Sequence, residues 1–361
     1  MTIGNDTRNE GNAVVRSQVN NGVAMLSFEN APYHYMDEVL ISMIEKAFDE
    51  LHARDDVRVI VLANSQPGFF ITHYSLSNIK EATSFMASLR RWKLPVEYAV
   101  RPAMALARRV HSIRNVPMLR AFYKAAKRTP LGGALVYVQV NGFVSKLRNS
   151  AKPVIAAIGG NAQGIGMEIA QACDFRIMAR GPFYLSQIES LVGLVPGSGG
   201  AQHLARIIGT GKALELSMLG TRIDADTAQQ FGLVYKAVEP DELMISVQTL
   251  AEQLALRTPE SLQHIKRSVN LGHDRSFSEG LRIDELGFLM CSATPTALAA
   301  FAENDKSLRE GKSINSTFDT LGRTDINSLP EAAKTEWTRR GGSKNEDQLL
   351  ALTTTTTGAT K

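Results

Sequence analysis

The clearest structural pattern in the chain is KPVIAAIGGNAQGIGMEIAQACDFRIMA, residues 152–179. Residues 152–160 form an apolar, partly β-branched run that passes into glycines, which is typical of a buried strand ending in a tight turn. Residues 166–172 then have the composition of a helix, and residues 174–179 that of another strand. This strand–turn–helix–strand unit predicts an α/β fold, with sheets packed against helices.

The same alternation continues on both sides of this unit. Towards the N-terminus, strands over 14–19 and 23–28 flank Asn20-Asn21-Gly22, which predicts a β-hairpin. An amphipathic helix over 36–53 and a strand over 58–64 follow. Towards the C-terminus we expect helices over 213–219 and 224–231, a strand over 233–238, and helices filling 241–310.

The charge of the 361-residue chain is unevenly distributed. The net charge of +4 argues against a dedicated nucleic-acid or membrane-surface protein. Residues 80–150, however, hold 14 basic and two acidic residues, a net charge of +12, and the remaining 26 basic and 34 acidic residues sum to −8. Prolines at 95, 102, 117 and 130 divide this stretch into short helices, so we interpret residues 85–130 as an inserted basic helical segment.

The termini and cysteines add expectations about order and compartment. Residues 1–13 and 326–361 are polar and of low apolar content, which predicts a disordered N-terminus and a flexible tail. There is no signal-peptide pattern and no apolar run of the ~18 residues that a membrane helix needs, so we expect no membrane contact. Two cysteines are too few for a disulfide framework. Together these features indicate a cytoplasmic protein.

The glycine-rich turn at residues 161–168 is the first candidate functional site. Glycines there leave successive backbone N–H groups unpaired at the start of a helix, which favours an anion or a developing oxyanion. Glu168 borders this turn and Glu189 follows 21 residues later, so the pair suggests an acid and a base. The spacing does not match a dinucleotide loop, a nucleophile elbow around Ser198 or a zinc motif, and we expect no metal site.

Three runs in this order resemble the crotonase superfamily, the enoyl-CoA hydratases and isomerases. They are residues 152–179, QIESLVGLVPGSGGAQHLARIIG at 187–209, and ALELSMLGTRIDADTAQQFGLVYKAV at 213–238. The resemblance implies a spiral of strand–strand–helix units over residues 14–240. It also implies a C-terminal helical trimerisation region over 241–325, and therefore a homotrimer or a dimer of trimers.

The resemblance further implies an acyl-CoA thioester substrate and no cofactor, since coenzyme A is part of the substrate. Backbone N–H groups of Ile165 and Tyr74 would stabilise the oxyanion. Glu168 would activate the water that adds to the β-carbon, and Glu189 would move the proton at the α-carbon, as in a hydratase with two acids. The remaining expected substrate or CoA contacts are Ile71, Thr72, His73, Gly164 and Gly166.

Several alternatives stay open at this point. An enoyl-CoA isomerase, a C–C cleaving enzyme or a dehalogenase would use the same oxyanion hole. The +12 segment with interleaved aromatic residues is also compatible with RNA binding, although we expect no nucleic-acid partner. The insert is interpreted as a helical lid that contributes charge to CoA through Arg90, Arg91 and Lys93, with Arg108, Arg109, Lys124, Lys127 and Arg128 as further candidates. Two other interpretations of the insert are that it docks an acyl-carrier protein or that it is a structural surface without a ligand.

Overall fold

The computed structural model describes residues 4–8, 12–80, 96–129 and 131–311. The described part of the chain contains a seven-stranded sheet and a three-stranded sheet. The larger sheet has the order β1-β2-β3-β4-β6-β8-β10, with parallel pairing from β3 onwards. Its strands are β1 (Gly4–Arg8), β2 (Ala13–Asn20), β3 (Val23–Asn30), β4 (Val59–Asn64), β6 (Val154–Ile158), β8 (Phe175–Ala179) and β10 (Lys236–Val238).

The smaller sheet consists of three short strands. It has the order β5-β7-β9, in which β5 is Gly68–Phe69, β7 is Gly160–Gln163 and β9 is Leu185–Ser186. All three strands run parallel, and each belongs to a different strand–strand–helix unit of the chain. The predicted α/β class is therefore confirmed.

The N-terminal hairpin is confirmed, but the expectation for residues 1–13 does not hold for residues 4–8. Asn21 and Gly22 both have positive φ, 48° and 76°, which is the geometry of a tight two-residue hairpin turn. Gly4–Arg8 adds a further antiparallel strand beside β2. Backbone pairing at a sheet edge needs no apolar side chains, so composition did not reveal this strand.

Helices cover the sheets and extend beyond them. They are α1 (Glu38–Ala53), α2 (Val96–Ser112), α3 (Arg120–Lys127), α4 (Gly132–Asn149), α5 (Ile165–Ala172), α6 (Gly200–Ile208), α7 (Thr210–Leu219), α8 (Ala225–Gln230), α9 (Leu243–Ala255), α10 (Pro259–Gly272), α11 (Phe277–Ser292) and α12 (Pro295–Arg309). Asp37 caps α1 by accepting a 2.7 Å hydrogen bond from Leu40 N–H. The predicted helices are present within the described residues, although residues 85–95 of the predicted insert lie outside them. Helices α4 and α6 are additional helices that we did not predict.

Alternating side chains of the large sheet enter two separate cores. In β4, Ile60 and Leu62 pack in the main core with α1, α4 and α5, whereas Val59 and Val61 pack against α9 on the other face. The central strands are buried on both faces, which explains their continuous apolar sequences. A third, smaller core joins α2, α3 and α4.

The C-terminal helices α10–α12 carry many exposed apolar side chains. Phe277, Phe288 and Leu289 are 86%, 72% and 65% exposed. Within the described ranges, no single helix is long and apolar enough to cross a membrane. Only α11 and α12 counted together meet those criteria, and they are bent by 76° at their junction. The predicted 326–361 tail lies outside the described residues.

Candidate active site

The turn between β7 and α5 is the centre of the candidate site. Gly164 connects them with φ +51°, a conformation that residues with a Cβ rarely adopt. Its N–H donates to Ser186 O at 2.9 Å, which ties the turn to β9. Ile165 is the first residue of α5, so its N–H has no partner within the helix. Among the described residues, no acceptor outside the helix binds this N–H either, as the predicted oxyanion role requires.

The loop that holds the second predicted donor lies directly against this turn. Gln163 N–H donates to Ile71 O at 3.2 Å. A Cβ atom on Gly166 would lie only 2.0 Å from the same carbonyl oxygen, so glycine is required for this contact. Backbone-to-backbone packing therefore brings these two segments, which are far apart in the sequence, into direct contact.

Tyr74 is held by an isolated bridge to Met36. Met36 N–H donates to His73 O at 2.7 Å, and Ser75 N–H donates to Met36 O at 2.8 Å. Between these two bonds, Tyr74 N–H has no acceptor within the described ranges. The phenol ring of Tyr74 packs against the main core. This geometry is compatible with an oxyanion donor at Tyr74, which stays a prediction.

The other three predicted loop contacts have mainly structural partners. Ile71 is 1% exposed and its side chain belongs to the main core. The Thr72 hydroxyl donates to Tyr33 O at 2.9 Å. His73 Nδ1 lies 2.7 Å from Tyr74 O, and its ring stacks 5.9 Å from that of Tyr35. These residues fix the loop, and their predicted contacts with substrate remain predictions.

Glu168 is buried beneath the turn, one helical turn after Ile165. It is 3% exposed, and its Oε1 accepts hydrogen bonds from Ser198 N–H at 2.7 Å and from Gly200 N–H at 2.9 Å. A Cβ atom on Gly200 would lie 2.8 Å from this oxygen. Glycine at position 200 therefore allows the backbone to approach the carboxylate.

Glu189 lies on the other side of the same turn. It begins a 3-10 turn, Glu189–Val192, and its Oε1 lies 3.2 Å from where a Cβ atom of Gly164 would stand. Burial and the neighbouring Glu189 carboxylate raise the pKa of Glu168 to about 7. Burial also raises the pKa of Glu189. In both carboxyl groups the raised pKa favours the protonated form relative to an exposed glutamate.

Two buried glutamines support this pair and were missed from the sequence. Gln187 is completely buried, and with its amide nitrogen directed to Glu189 it donates to Oε2 at 3.0 Å. In that orientation its oxygen accepts from Gln171 Nε2 at 3.3 Å. The only sequence signal was a polar residue two positions before Glu189, at a site that the strand pattern makes buried.

The basic residues proposed to contact CoA differ in their surroundings, and three of them are not described by the structure. Arg90, Arg91 and Lys93 lie outside the described residues. Lys127 pairs with Glu38 at the start of α1 and lies 5.5 Å from the Tyr123 ring centroid. The other candidates, Arg108, Arg109, Lys124 and Arg128, are exposed. No group of three metal-ligating side chains occurs within the described ranges.

Known proteins similar to this chain are enoyl-CoA hydratases. Residues 125–309 match the family model described as enoyl-CoA hydratase/isomerase. A short-chain-enoyl-CoA hydratase of Clostridioides difficile is 40% identical over 146 residues, which are 40% of this chain and 93% of that protein. A protein of the same name from Clostridium acetobutylicum is 36% identical over 169 residues, 46% of this chain and 64% of its own length.

Solved structures extend the likeness beyond the sequence match. The crystal structure of an enoyl-CoA hydratase from Geobacillus kaustophilus HTA426 aligns with a TM-score of 0.65 at 19% identity, covering 86% of this chain and 98% of that one. At this identity the alignment shows the fold alone, which is the predicted crotonase fold. The family model and the clostridial relative show more: the chain belongs to the enoyl-CoA hydratase/isomerase family.

Proposed function

We propose that this protein catalyses the reversible hydration of a 2-enoyl-CoA thioester, the reaction of a lyase. The observation that carries the proposal is the pair of glutamates beside the Gly164 turn, the buried Glu168 and the half-buried Glu189. Hydration needs two proton movements, at the attacking water and at the α-carbon, and two acidic groups can serve both. The hydratase names of the relatives support the same reaction.

The thioester carbonyl would bind between the N–H groups of Ile165 and Tyr74. Hydrogen bonds from these groups stabilise the negative charge that develops on the oxygen when a nucleophile adds to the conjugated double bond. Both donors are main-chain groups in packed segments, so they are already oriented before substrate binds. Loss of a single oxyanion donor typically costs on the order of 10²–10³ in rate.

In the direction of hydration, Glu168 removes a proton from the water as it adds to the β-carbon. Glu189 then delivers a proton to the α-carbon. The proton that Glu168 took from the water is lost to solvent and Glu189 is reprotonated from solvent, which restores both carboxyl groups for the next turnover. The bound Oε1 of Glu168 leaves Oε2 to contact the water. Addition of water changes no oxidation state, so the proposed reaction uses no redox cofactor.

Deuterium exchange separates the roles of the two glutamates. A saturated acyl-CoA in D₂O exchanges its α-proton when the oxyanion site and the α-carbon base both act. We expect Glu189→Gln to abolish this exchange and Glu168→Gln to retain it, while both variants lose hydration of crotonyl-CoA. Hydration that survives in both variants would contradict the proposal, and exchange lost in only Glu168→Gln would reverse the two roles.

The C-terminal helices support the predicted assembly into a homotrimer or a dimer of trimers. Phe277, Phe288 and Leu289, all on α11, are large apolar side chains that this chain leaves exposed. Burial of such a surface between copies would stabilise an oligomer. Sedimentation analysis should give a multiple of three, and a monomer would contradict the assembly. A cytoplasmic location completes the proposal and can be tested by fractionation.

A further inference from the structure

Within its described residues, the basic insert packs buried apolar side chains against α4. Ala107 and Val110 of α2 and Ala126 of α3 form a small core with Leu135 and Val138 of α4. This arrangement leaves the opposite faces of α2 and α3, and the turn between them, directed to solvent. Internal packing therefore does not explain the residues on that outer surface.

The turn between α2 and α3 exposes apolar side chains. Pro117–Leu119 form a 3-10 turn in which no residue is buried. Met118 is 92% exposed, Phe122 55%, Val116 41% and Leu119 37%. Four exposed apolar residues within seven positions form a cluster that single surface residues do not account for. We call these four residues, with Arg120, Lys124 and Arg128, the insert tip.

Cations surround these apolar residues. Described positions between 98 and 131 carry eight Lys and Arg residues and no acidic residue. Two of the eight, Arg114 and Lys127, pair with acidic residues of α1. The other six are exposed and make no ion pair within the described part of the chain, namely Arg101, Arg108, Arg109, Arg120, Lys124 and Arg128.

We propose that the insert tip binds the surface of a membrane that contains anionic phospholipids. Apolar side chains on a turn, flanked by cations, match the interface between lipid headgroups and acyl chains. A second copy of the chain would bring like charges together at a symmetric contact, which disfavours it. A polynucleotide would use the cations but would leave Met118 and Val116 without a partner.

Contact of this kind does not require a spanning helix. The expectation of no membrane partner rested on the net charge of the whole chain and on the absence of a long apolar run. The cations of the insert act locally, because electrostatic attraction to a membrane falls off within about a Debye length. A membrane close to the insert is therefore attracted by the local positive charge of the insert, and the net charge of the whole chain matters less.

Vesicle sedimentation of the full chain tests the proposal. We expect binding to vesicles of phosphatidylcholine mixed with phosphatidylglycerol, no binding to phosphatidylcholine alone, and release at high salt. Met118→Ser should weaken binding roughly tenfold because one apolar anchor is lost. The double variant Lys124→Gln/Arg128→Gln should weaken it by about fivefold for each cation.

Matched variants outside the tip serve as controls. Met218→Ser removes another exposed methionine, and Arg275→Gln/Arg282→Gln removes two exposed cations on or near α11. These variants should bind vesicles like the unaltered protein, and thermal unfolding should show that every variant is folded. Because the assay measures lipid binding, its result does not depend on the proposed hydration.

Four outcomes would overturn the proposal. Equal binding to neutral and anionic vesicles, or no binding to either, would show that the protein has no preference for anionic lipid. Vesicle binding that is unchanged in Met118→Ser would show that the insert tip is not the binding surface. A smaller oligomer of Met118→Ser in the absence of vesicles assigns the tip to a contact between copies. Salt-sensitive retention of RNA that Met118→Ser does not alter, without vesicle binding, assigns the cations to a polyanion.

Discussion

The carboxyl groups of Glu168 and Glu45 are buried to a similar degree, but one lies in the proposed active site and the other beneath the basic insert. Glu168 is 3% exposed and Glu45 is 6% exposed. Glu168 faces backbone N–H groups and a second carboxylate, which leaves its pKa raised to about 7. Burial favours a raised pKa for Glu45 too, but Lys146 at 3.0 Å and Arg114 at 2.8 Å outweigh it and lower the value.

This difference shows what distinguishes a reactive carboxylate from a structural one in this fold. Burial is common to both, so the neighbouring charge determines whether the group can exchange a proton near neutral pH. At Glu45 two cations hold the charged form and join the insert and α4 to α1. At Glu168 no cation is paired with the carboxylate within the described ranges.

The largest expected effect is on turnover. Glu168→Gln and Glu189→Gln should each lower kcat for hydration by 10²–10⁴, the usual contribution of a general acid or base. Glu45→Gln should leave kcat within a few-fold, since the partners of Glu45 are Arg114, Lys146 and Gln139 and not residues of the proposed site. Steady-state kinetics with crotonyl-CoA measure all three, and a comparable loss in Glu45→Gln would remove the distinction drawn between the two carboxyl groups.

The next effect concerns the backbone contact between the two donor segments. Gly166→Ala would place a Cβ atom 2.0 Å from Ile71 O and force the loop away from the turn. We expect kcat/KM to fall by about 10²–10³, as for a lost oxyanion donor. Gly142→Ala on α4 is the control, since a Cβ there meets no atom within 4 Å, and alanine should stabilise that helix slightly.

The fold and the acidic pair were predictable because they depend on local sequence. Apolar runs gave the strands, and the glycines at 164 and 166 marked the turn beside Glu168. The strand at Gly4–Arg8 and helices α4 and α6 were missed, since the strand has no apolar side chain and both helices begin at glycines. The ion pairs of Arg114 and Lys127 with α1 were also missed, because they join residues 69 and 89 positions apart.

A smaller effect is expected on stability, with opposite pH dependence at the two carboxyl groups. The pKa of Glu168 rises from the reference value of 4.5 to about 7 on folding. Its contribution to stability is therefore complete below about pH 4.5 and is lost as pH rises through about 7. That loss corresponds to roughly 3 kcal/mol at most.

Glu168→Gln should remove this pH dependence, because the amide oxygen can still accept from Ser198 and Gly200 without carrying charge. Thermal unfolding should show the variant gaining on the unaltered protein between pH 5 and pH 8. Parallel curves for the two proteins across this range would show that Glu168 has an ordinary pKa, which would also weaken its proposed role as a base tuned to neutral pH.

The smallest effect is expected at Glu45, at the base of the insert, where the pH dependence of stability has the opposite sign. The pKa of Glu45 is lowered on folding, so its contribution to stability is present above the reference value of 4.5 and is lost as pH falls.

Arg114→Met removes one of the two cations beside Glu45 but leaves Lys146 in place, so we expect a loss of about 1 kcal/mol in the free energy of unfolding at neutral pH. The loss should shrink in acid, since a protonated Glu45 gains little from Arg114. Urea unfolding at two pH values measures both terms, with Arg275→Met as the control for removing an exposed arginine that makes no salt bridge within the described residues. If Arg114→Met loses the same stability in acid as at neutral pH, the arginine contributes packing and not charge, and the contrast with Glu168 would rest on Lys146 alone.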